Sequence, residues 1–390
     1  MRRPRRRAVL LKLAAAAVVV AILTVVIVVE SVTEFQSDRA APVGTSLASS
    51  ASVSAPRAAS EEAAVPNSPA STSQQVPPAI PPALPVSAVA IPAIEGQPID
   101  VGATPGFVAV TPDGRHAYIA NRAAGVVTVV DTTIDKVIAK IPTPAGPPQY
   151  IAFTPDGNHA YVSIFNPEKT INLVAVLDTQ TTRVQQTILV DQRPVALAVS
   201  PDQHFVYVPS HDAGAIDIID IETSTVVRKV AVPANPHWIR FATDGKVAYI
   251  ANHESNVLSV LDTASNTVIQ TIAVGTSPHS VAVSADGRQV AVVCFDSNDV
   301  YLIDTTTNKV SGTVMVGTNP QDVTYSPDGR YLYTANVESN TVSVVDSVSR
   351  TVTANIPTNS PTSIAALPNG RKAYVTNLDA GTVTVLNTGR

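Results

Sequence analysis

Four of the seven histidines fall at related places in the chain. His237 and His279 each directly follow a proline, and His211 and His253 each directly follow a Tyr-containing apolar run. Neutral imidazole is a ligand for zinc, copper and nickel, and it also forms hydrogen bonds with organic ligands. These four residues are therefore the first candidates for a binding site.

Three further residues depart from the pattern around them. Trp238 is the only tryptophan, Cys294 is the only cysteine, and Arg240 stands at a position that is otherwise mostly alanine. A charge at a crowded position requires a partner or a ligand. A nucleophile formed by Cys294 and His279 needs a third group to orient it, and none is evident, so we expect a packing role for the cysteine. A single cysteine also forms no disulfide within the chain.

All these residues belong to a repeat. Its anchor prolines recur 41 to 46 residues apart, at Pro105, Pro148, Pro194, Pro236, Pro278, Pro320 and Pro361. A fixed period of this length predicts a repeat architecture. Each copy holds short β-branched apolar runs, and Pro-Asp-Gly turns follow the first run at 112–114, 155–157 and 327–329. An Asp closes the third run of six copies, where we expect it to cap a tight turn.

The two ends of the repeat region complement each other. The last copy stops after its third run, and residues 97–102 match the ending of a fourth run at 271–275. An N-terminal strand would therefore complete the last blade and close a ring, whereas an open solenoid would need capping segments. The sequence predicts an all-β, seven-bladed β-propeller over residues 95–390, closed by its N-terminal strand.

This architecture sorts the histidines onto two faces. In a propeller, the loops that enter the first strand and leave the second share one face, which we call the mouth face. His211, His237, His253 and His279 fall there in blades three to five, and His116, His159 and His204 fall on the opposite face. Equivalent propeller loops are widely spaced, and nothing in the sequence fixes four histidines around one ion. We therefore predict a ligand-binding or polar rim and assign no metal and no cofactor.

Three segments carry a family resemblance: Ala117-Tyr-Ile-Ala-Asn121, Ala248-Tyr-Ile-Ala-Asn252 and Ala373-Tyr-Val-Thr-Asn377. With the repeat over 97–390, the chain resembles the YVTN-family β-propellers, which are related to lactonase-like propellers. The resemblance implies the seven-bladed fold. It implies no single function, because the family includes surface-layer and exported proteins without an assigned activity and members reported to bind nucleic acid. No catalytic residue carries over.

The N-terminus differs from the repeat region. Its first twelve residues hold six basic side chains and no acid, so subtracting +6 from the total charge of −5 leaves −11 on the rest. An acidic body argues against nucleic acid as a partner. The apolar run from Leu13 to Val29 predicts a transmembrane signal anchor over 1–30, with a cleaved secretory signal as the alternative. Either places the propeller outside the cytoplasm, beyond an Ala/Ser/Pro-rich disordered linker over 31–94.

Our functional hypothesis is a membrane-tethered module that binds an unknown protein or small-molecule ligand through the mouth face. The proposed ligand-binding residues are His211, His237, Trp238, Arg240, His253 and His279. The alternative is a lactonase-like or other hydrolase, metal-dependent in one version, that uses the same face. Such enzymes need convergent carboxylates or a base–nucleophile pair, and the acids of this face show no such spacing. The sequence therefore favours binding, with no catalytic residue assigned.

Overall fold

A computed structural model of the protein describes residues 85–143 and 145–389. Seven four-stranded antiparallel sheets make up this part of the chain. The prediction of an all-β, seven-bladed propeller is confirmed. The predicted transmembrane segment and residues 31–84 of the predicted linker lie outside the described residues. Within the described ranges, no helix has the length and apolar character needed to cross a membrane.

Twenty-eight strands follow one another in the order that the repeat predicts. The first strand in the described residues is β1 (Ala88–Asp100). The first three blades are β2 (Pro105–Val110), β3 (His116–Asn121), β4 (Val126–Asp131), β5 (Lys136–Pro142), then β6 (Pro148–Phe153), β7 (His159–Phe165), β8 (Asn172–Asp178), β9 (Arg183–Leu189), then β10 (Ala198–Val199), β11 (Phe205–Ser210), β12 (Ala215–Asp220) and β13 (Thr225–Ala231). A single 3-10 turn, His211–Ala213, follows β11.

Blades four to six are also built from four consecutive strands. Blade seven has three consecutive strands and lacks an outer strand of its own. The strands of these blades are β14 (Pro236–Phe241), β15 (Val247–Asn252), β16 (Val257–Asp262), β17 (Thr267–Ala273), then β18 (Pro278–Val283), β19 (Gln289–Cys294), β20 (Asp299–Asp304), β21 (Lys309–Met315), then β22 (Pro320–Tyr325), β23 (Tyr331–Asn336), β24 (Thr341–Asp346), β25 (Thr351–Pro357), and finally β26 (Pro361–Ala366), β27 (Lys372–Asn377) and β28 (Thr382–Gly389).

The first strands of the blades line a central channel. Each contacts the first strand of the next blade, and β26 of blade seven contacts β2 of blade one, so the ring is closed. Apolar faces of neighbouring sheets pack together. At the closure, Val108 and Ile119 of blade one share a core with Tyr374 and Val385 of blade seven. These side chains are at most 2% exposed, so burial between blades supplies the stability that no disulfide provides.

The N-terminal strand completes the last blade as predicted. β1 pairs antiparallel with β28, placing Ile94 opposite Leu386 and Ile99 opposite Val383. The strand begins at Ala88, earlier than the domain start at residue 95 that the sequence predicts. Its register shifts between Ala88 and Ala93, and this irregularity accommodates a proline inside the strand. The closing strand is therefore longer than the fourth-run match indicates.

The residues that recur from copy to copy of the repeat have structural roles. The Asp near the end of the third strand in six blades caps a turn: Asp304 Oδ1 accepts the Thr306 amide at 2.9 Å, and Asp220 Oδ1 accepts the Thr223 amide at 2.8 Å. The Asn that ends a second strand ties it to the third, as when Asn377 Nδ2 donates to Thr384 Oγ1 at 2.8 Å. These groups are occupied within their own blade, which leaves the residues that depart from the repeat to form a site.

Candidate functional site

A β-bulge at the start of the inner strands sets the lining of the channel. In blade four the register shifts between Pro236 and Trp238, which makes His237 the extra residue. Blade five has the same shift, with His279 as the extra residue. Bulges re-aim side chains and often border functional sites. Here His237 and Trp238, although consecutive, are both buried, at 7% and 2% exposure.

The four histidines of the mouth face come together. The ring centroids of His237 and His279 are 4.0 Å apart, and His253 lies 5.7 Å from the first and 6.0 Å from the second. His211 lies 5.9 Å from His237 and 6.3 Å from His253. Three separate blades supply these rings. They approach because the side chains point into one channel, although their loops belong to different sheets.

Backbone acceptors fix the two inner rings. His237 Nδ1 lies 3.0 Å from the carbonyl oxygen of His279, and His279 Nδ1 lies 2.7 Å from the carbonyl oxygen of Gln321. A carbonyl only accepts, so Nδ1 carries the proton in both rings and Nε2 keeps its lone pair. Each inner histidine is thus oriented by the blade that follows its own.

Carboxylates hold the two outer rings by the same nitrogen. His211 Nδ1 lies 2.8 Å from Asp212 Oδ1 and 3.2 Å from the amide nitrogen of Asn235, and His253 Nδ1 lies 3.3 Å from Glu254 Oε1. All four Nδ1 atoms therefore face an acceptor oxygen. Within the described residues, no Nε2 atom of the four has a hydrogen-bond partner.

The longer loop of blade two supports this arrangement. Lys169, in the four-residue insertion between the second and third strands, places Nζ 2.6 Å from Asp212 Oδ2. Arg193 Nη1 lies 3.6 Å from Asp212 Oδ1. The hydrogen bond from His211, together with these cations, holds the pKa of Asp212 well below its usual range. Asp212 is therefore ionised and keeps His211 oriented.

Burial disfavours the charged form of three of the rings. Removal from water lowers the pKa of His211, puts that of His237 well below the ordinary value, and lowers that of His279 to about 3. The neighbouring imidazoles add to this effect for His237, because a second positive charge nearby is unfavourable. At neutral pH the inner rings are neutral imidazoles that present lone pairs.

Below the histidines, aromatic rings cross the channel. Trp238 lies 5.7 Å from Phe107 and 5.5 Å from Tyr150, all edge to face, and Tyr150 in turn lies 6.2 Å from His237. The Trp238 Nε1 atom is buried and has no hydrogen-bond partner among the described residues. Phe107 and Tyr150 were not predicted as site residues. Their signal is positional, since each stands two residues after an anchor proline, as Trp238 does.

Arg240 is separated from the histidines by this aromatic layer. Its guanidinium carbon lies 5.7 Å from the centroid of the Trp238 ring, and the residue lines a pocket of about 340 Å³ with Ser284 and Thr324 at the other end of the channel. The structure thus places five of the six predicted residues at the mouth and Arg240 beyond them. Burial lowers the pKa of Arg240, partly opposed by the charge of Asp322.

Asp322 is the counterpart of Arg240 and was predicted only as a scattered acid of the mouth face. It is 4% exposed and joins three blades, accepting hydrogen bonds from Ser280 Oγ at 2.8 Å and Ser363 Oγ at 2.7 Å. The amides of Val323 and Ile364 complete its four bonds. Burial raises its pKa. Its interactions are those of a structural group.

Arg122 is a further mouth residue that the sequence analysis missed. It follows Asn121 in blade one as His253 follows Asn252 in blade four, so its position carried a signal. The side chain covers Gly106, where an added Cβ would meet Arg122 Nε at 2.5 Å. Its charge acts on His279, and its buried Nε has no hydrogen-bond partner among the described residues.

The remaining candidates lie away from the cluster. His116, His159 and His204 lie at the far ends of the second strands, where they are partly or fully exposed. Cys294 is completely buried, and burial, with the charge of Asp299, raises the pKa of its thiol to about 12. The thiol stays protonated, which agrees with the packing role predicted from the sequence.

The histidine rings stand slightly apart. Among the described residues, no group of three or more His, Cys, Asp or Glu side chains is placed to hold a metal ion as it stands. What the mouth offers is a set of four oriented imidazoles with accessible lone pairs, one unpaired indole N–H beneath them and an arginine beside them. Such a set can coordinate a Lewis acid or accept hydrogen bonds from a donor.

Comparisons with known proteins agree on the architecture. A profile of the family described as the cytochrome D1 heme domain matches residues 195–347 and, overlapping them, 254–382. Together these spans cover less than half of the chain. No curated protein sequence matches it.

Among solved structures, a chain of Kuenenia stuttgartiensis hydrazine synthase is similar, with a TM-score of 0.67 and 24% identity. The match covers 74% of this protein and 96% of that chain. In total, 1725 chains of solved structures match, so the likeness indicates a widely used fold and no particular chemistry. The chain is a seven-bladed β-propeller, and the YVTN resemblance stays a prediction.

Proposed function

We propose that the protein is a binding module that takes a small ligand into the histidine-lined mouth of its channel. One observation carries this proposal: His211, His237, His253 and His279 come together from three blades, each oriented through Nδ1, with Nε2 unbonded among the described residues. The repeat does not require this arrangement, because other blades hold Gly, Gln, Val or Thr at the position of His237 and His279, and Arg122, Phe295, Val337 or Leu378 at the position of His253. A buried, oriented polar set with free lone pairs is typical of a ligand site.

The hydrolase alternative has less support. Its Cys–His version needs a thiolate, whereas the Cys294 thiol has a pKa of about 12 and no solvent exposure. The buried carboxylate of Asp322 already accepts four hydrogen bonds and is not available as a base. A metal-dependent version would require the ion that is proposed in the next subsection.

The matched family's description names a haem, and the described channel does not fit one. Phe107, Tyr150 and Trp238 fill the axis below the histidines. Two surface pockets, of about 170 and 340 Å³, both lie at the ends of the strands that are away from the mouth face, and no histidine lines either pocket. We therefore assign no tetrapyrrole to this chain.

We also propose that an N-terminal anchor holds the propeller outside the cytoplasm, with no nucleic acid as a partner. The basic start, the following apolar run and the acidic body support this location. Cell fractionation tests it. The full-length chain should appear in the membrane fraction and resist carbonate extraction, whereas a shortened soluble chain in the medium would identify a cleaved signal.

A thermal-unfolding screen of the purified full-length chain tests the binding function. The probes are phosphate, citrate, glycine, imidazole and the chlorides of zinc, nickel and cobalt. At least one probe should raise Tm by several degrees, and the rise should vanish in His237→Asn/His279→Asn. The far-face variant His116→Asn/His159→Asn/His204→Asn is the matched control. No response to any probe, or equal responses in both variants, would contradict the proposal.

A further inference from the structure

The donor set of the mouth identifies a class of ligand. Backbone carbonyls fix the Nδ1 proton on His237 and His279, so their Nε2 atoms only accept hydrogen bonds or coordinate cations. Inorganic anions and carboxylates need donors; the two Nε2 atoms supply none, and the unpaired donors among the described mouth residues are Arg122 Nε and Trp238 Nε1. A Lewis acid needs lone pairs, and neutral imidazole is preferred by zinc, copper and nickel.

The surroundings of the rings match the outer shell of a metal site. Metal-binding histidines usually donate their other ring N–H to a carboxylate or a backbone carbonyl, which fixes the ring and its tautomer. Here the backbone carbonyls of His279 and Gln321 are the acceptors for the two inner rings. The carboxylates of Asp212 and Glu254 are the acceptors for the two outer rings. Every ring is therefore oriented in the way that a metal-coordinating histidine usually is.

The ring spacing is close to what coordination requires. With Zn–N bonds of about 2.0–2.1 Å and tetrahedral angles, the centroids of coordinating imidazoles lie roughly 5 Å apart. The three pairs among His237, His253 and His279 are separated by 4.0, 5.7 and 6.0 Å. The rings would therefore have to move to bring all three Nε2 atoms to one ion. The His253 side chain is 17% exposed and lies at the rim.

We propose that His237, His253 and His279 bind one divalent transition-metal ion of the zinc, copper and nickel class through their Nε2 atoms. This inference rests on the proposed binding function and names its ligand. The fourth position is left for an exchangeable ligand. The charge of Arg122 acts on His279, so an anion is the preferred fourth ligand beside the ion.

Substitution with asparagine separates coordination from folding. Asn Nδ2 lies close to the position of imidazole Nδ1, so His237→Asn and His279→Asn keep a donor for the backbone carbonyl and lose Nε2. The full-length chain is purified without a polyhistidine tag, stripped with EDTA and dialysed. Binding of ZnCl₂ is then measured by titration calorimetry and elemental analysis, and CoCl₂ gives the ligand field from its visible spectrum.

The wild-type protein should bind one ion per chain and give a Co²⁺ spectrum of nitrogen ligation. His237→Asn, His253→Asn and His279→Asn should each weaken Zn²⁺ binding by about 100-fold or more, and His211→Asn by about 10-fold. The far-face triple variant should bind as the wild type does. If circular dichroism shows that an inner variant does not fold, Zn²⁺ binding by the rim variant His253→Asn is the deciding measurement.

Three results would overturn the metal assignment. They are the absence of a stoichiometric ion from the wild-type protein, undiminished binding by the mouth variants, and loss of binding in the far-face control. The screen described above separates this failure from failure of the binding function. Mouth-dependent stabilisation by citrate, phosphate, glycine or imidazole without any response to the metal chlorides contradicts the metal and leaves the binding site standing.

Discussion

His237 of blade four donates its Nδ1–H to the backbone carbonyl of His279 in blade five, at 3.0 Å, and the two rings approach to 4.0 Å. His279 repeats the bond to Gln321 of blade six. The hydrogen bonds that tie three blades together at the mouth are therefore the same ones that orient its imidazoles. In the proposed site, the Nδ1 atom of each of these two rings makes the contact between blades, and the Nε2 atom is the one left for a ligand.

The two functions of His279 can be separated by mutation. His279→Ala removes the donor to Gln321 and leaves a small cavity, so we expect a loss of about 2 kcal/mol in the free energy of unfolding. His279→Asn keeps a donor and should lose about half of that or less. Urea denaturation of both variants measures the difference. Equal losses would show that the hydrogen bond to the carbonyl contributes little.

Asp322 should be among the most sensitive residues outside the mouth. Asp322→Ala leaves four donors in three blades without their acceptor, and we expect a loss of about 3 kcal/mol or more. Asp322→Asn should also destabilise, because its NH₂ group would oppose a backbone N–H. Glu222→Ala, at an exposed position, is the control and should stay within about 0.5 kcal/mol of the wild type in urea denaturation.

Trp238 reports on the channel because it is the only tryptophan. At 2% exposure, its fluorescence should be blue-shifted in the folded protein and resist quenching by acrylamide. Paramagnetic Cu²⁺ or Ni²⁺ should quench it in the wild type and not in His237→Asn/His279→Asn. Emission typical of a water-exposed indole in the native protein would contradict the aromatic layer.

The capping aspartates predict how stability depends on pH. Hydrogen bonds from turn threonines lower the pKa values of Asp131, Asp178, Asp220 and Asp304 below the ordinary value. The unfolded chain therefore takes up protons first as the pH falls below about 4, and this stabilisation is lost through the lower pKa values of the folded state. Tm should fall with acidification in this window.

Substituting all four capping aspartates by asparagine gives the matched test. Asparagine keeps a carbonyl acceptor for the turn amides but does not titrate. The slope of Tm against pH below about 4 should be shallower in this variant than in the wild type, as differential scanning fluorimetry would measure. An unchanged slope would assign acid sensitivity to other groups.

Local chemistry in the sequence determined the scaffold. The 41-to-46-residue spacing of the prolines, the turn residues and the capping aspartates act within one blade, so each copy specifies the same four-stranded unit. Closure of the ring could also be predicted from the sequence, because the last copy lacks a fourth run and the segment before the first copy supplies one. The start of β1 at Ala88 could not be predicted from the sequence. Its first residues have a weak strand signal of their own and join the strand by pairing with β28.

Tertiary structure decided what the mouth contains. The bulges after Pro236 and Pro278 recur after the anchor prolines of other blades and so belong to the repeat. The acceptors of the His237 and His279 Nδ1 atoms belong to the following blades, and no local pattern encodes these contacts. Arg240 was grouped with the histidines because it departs from the repeat near them, and in the structure its guanidinium group lies beside the Trp238 ring. The sequence determines its blades through short-range contacts. The channel forms only where seven blades meet, so its chemistry depends on distances that the closed ring alone sets.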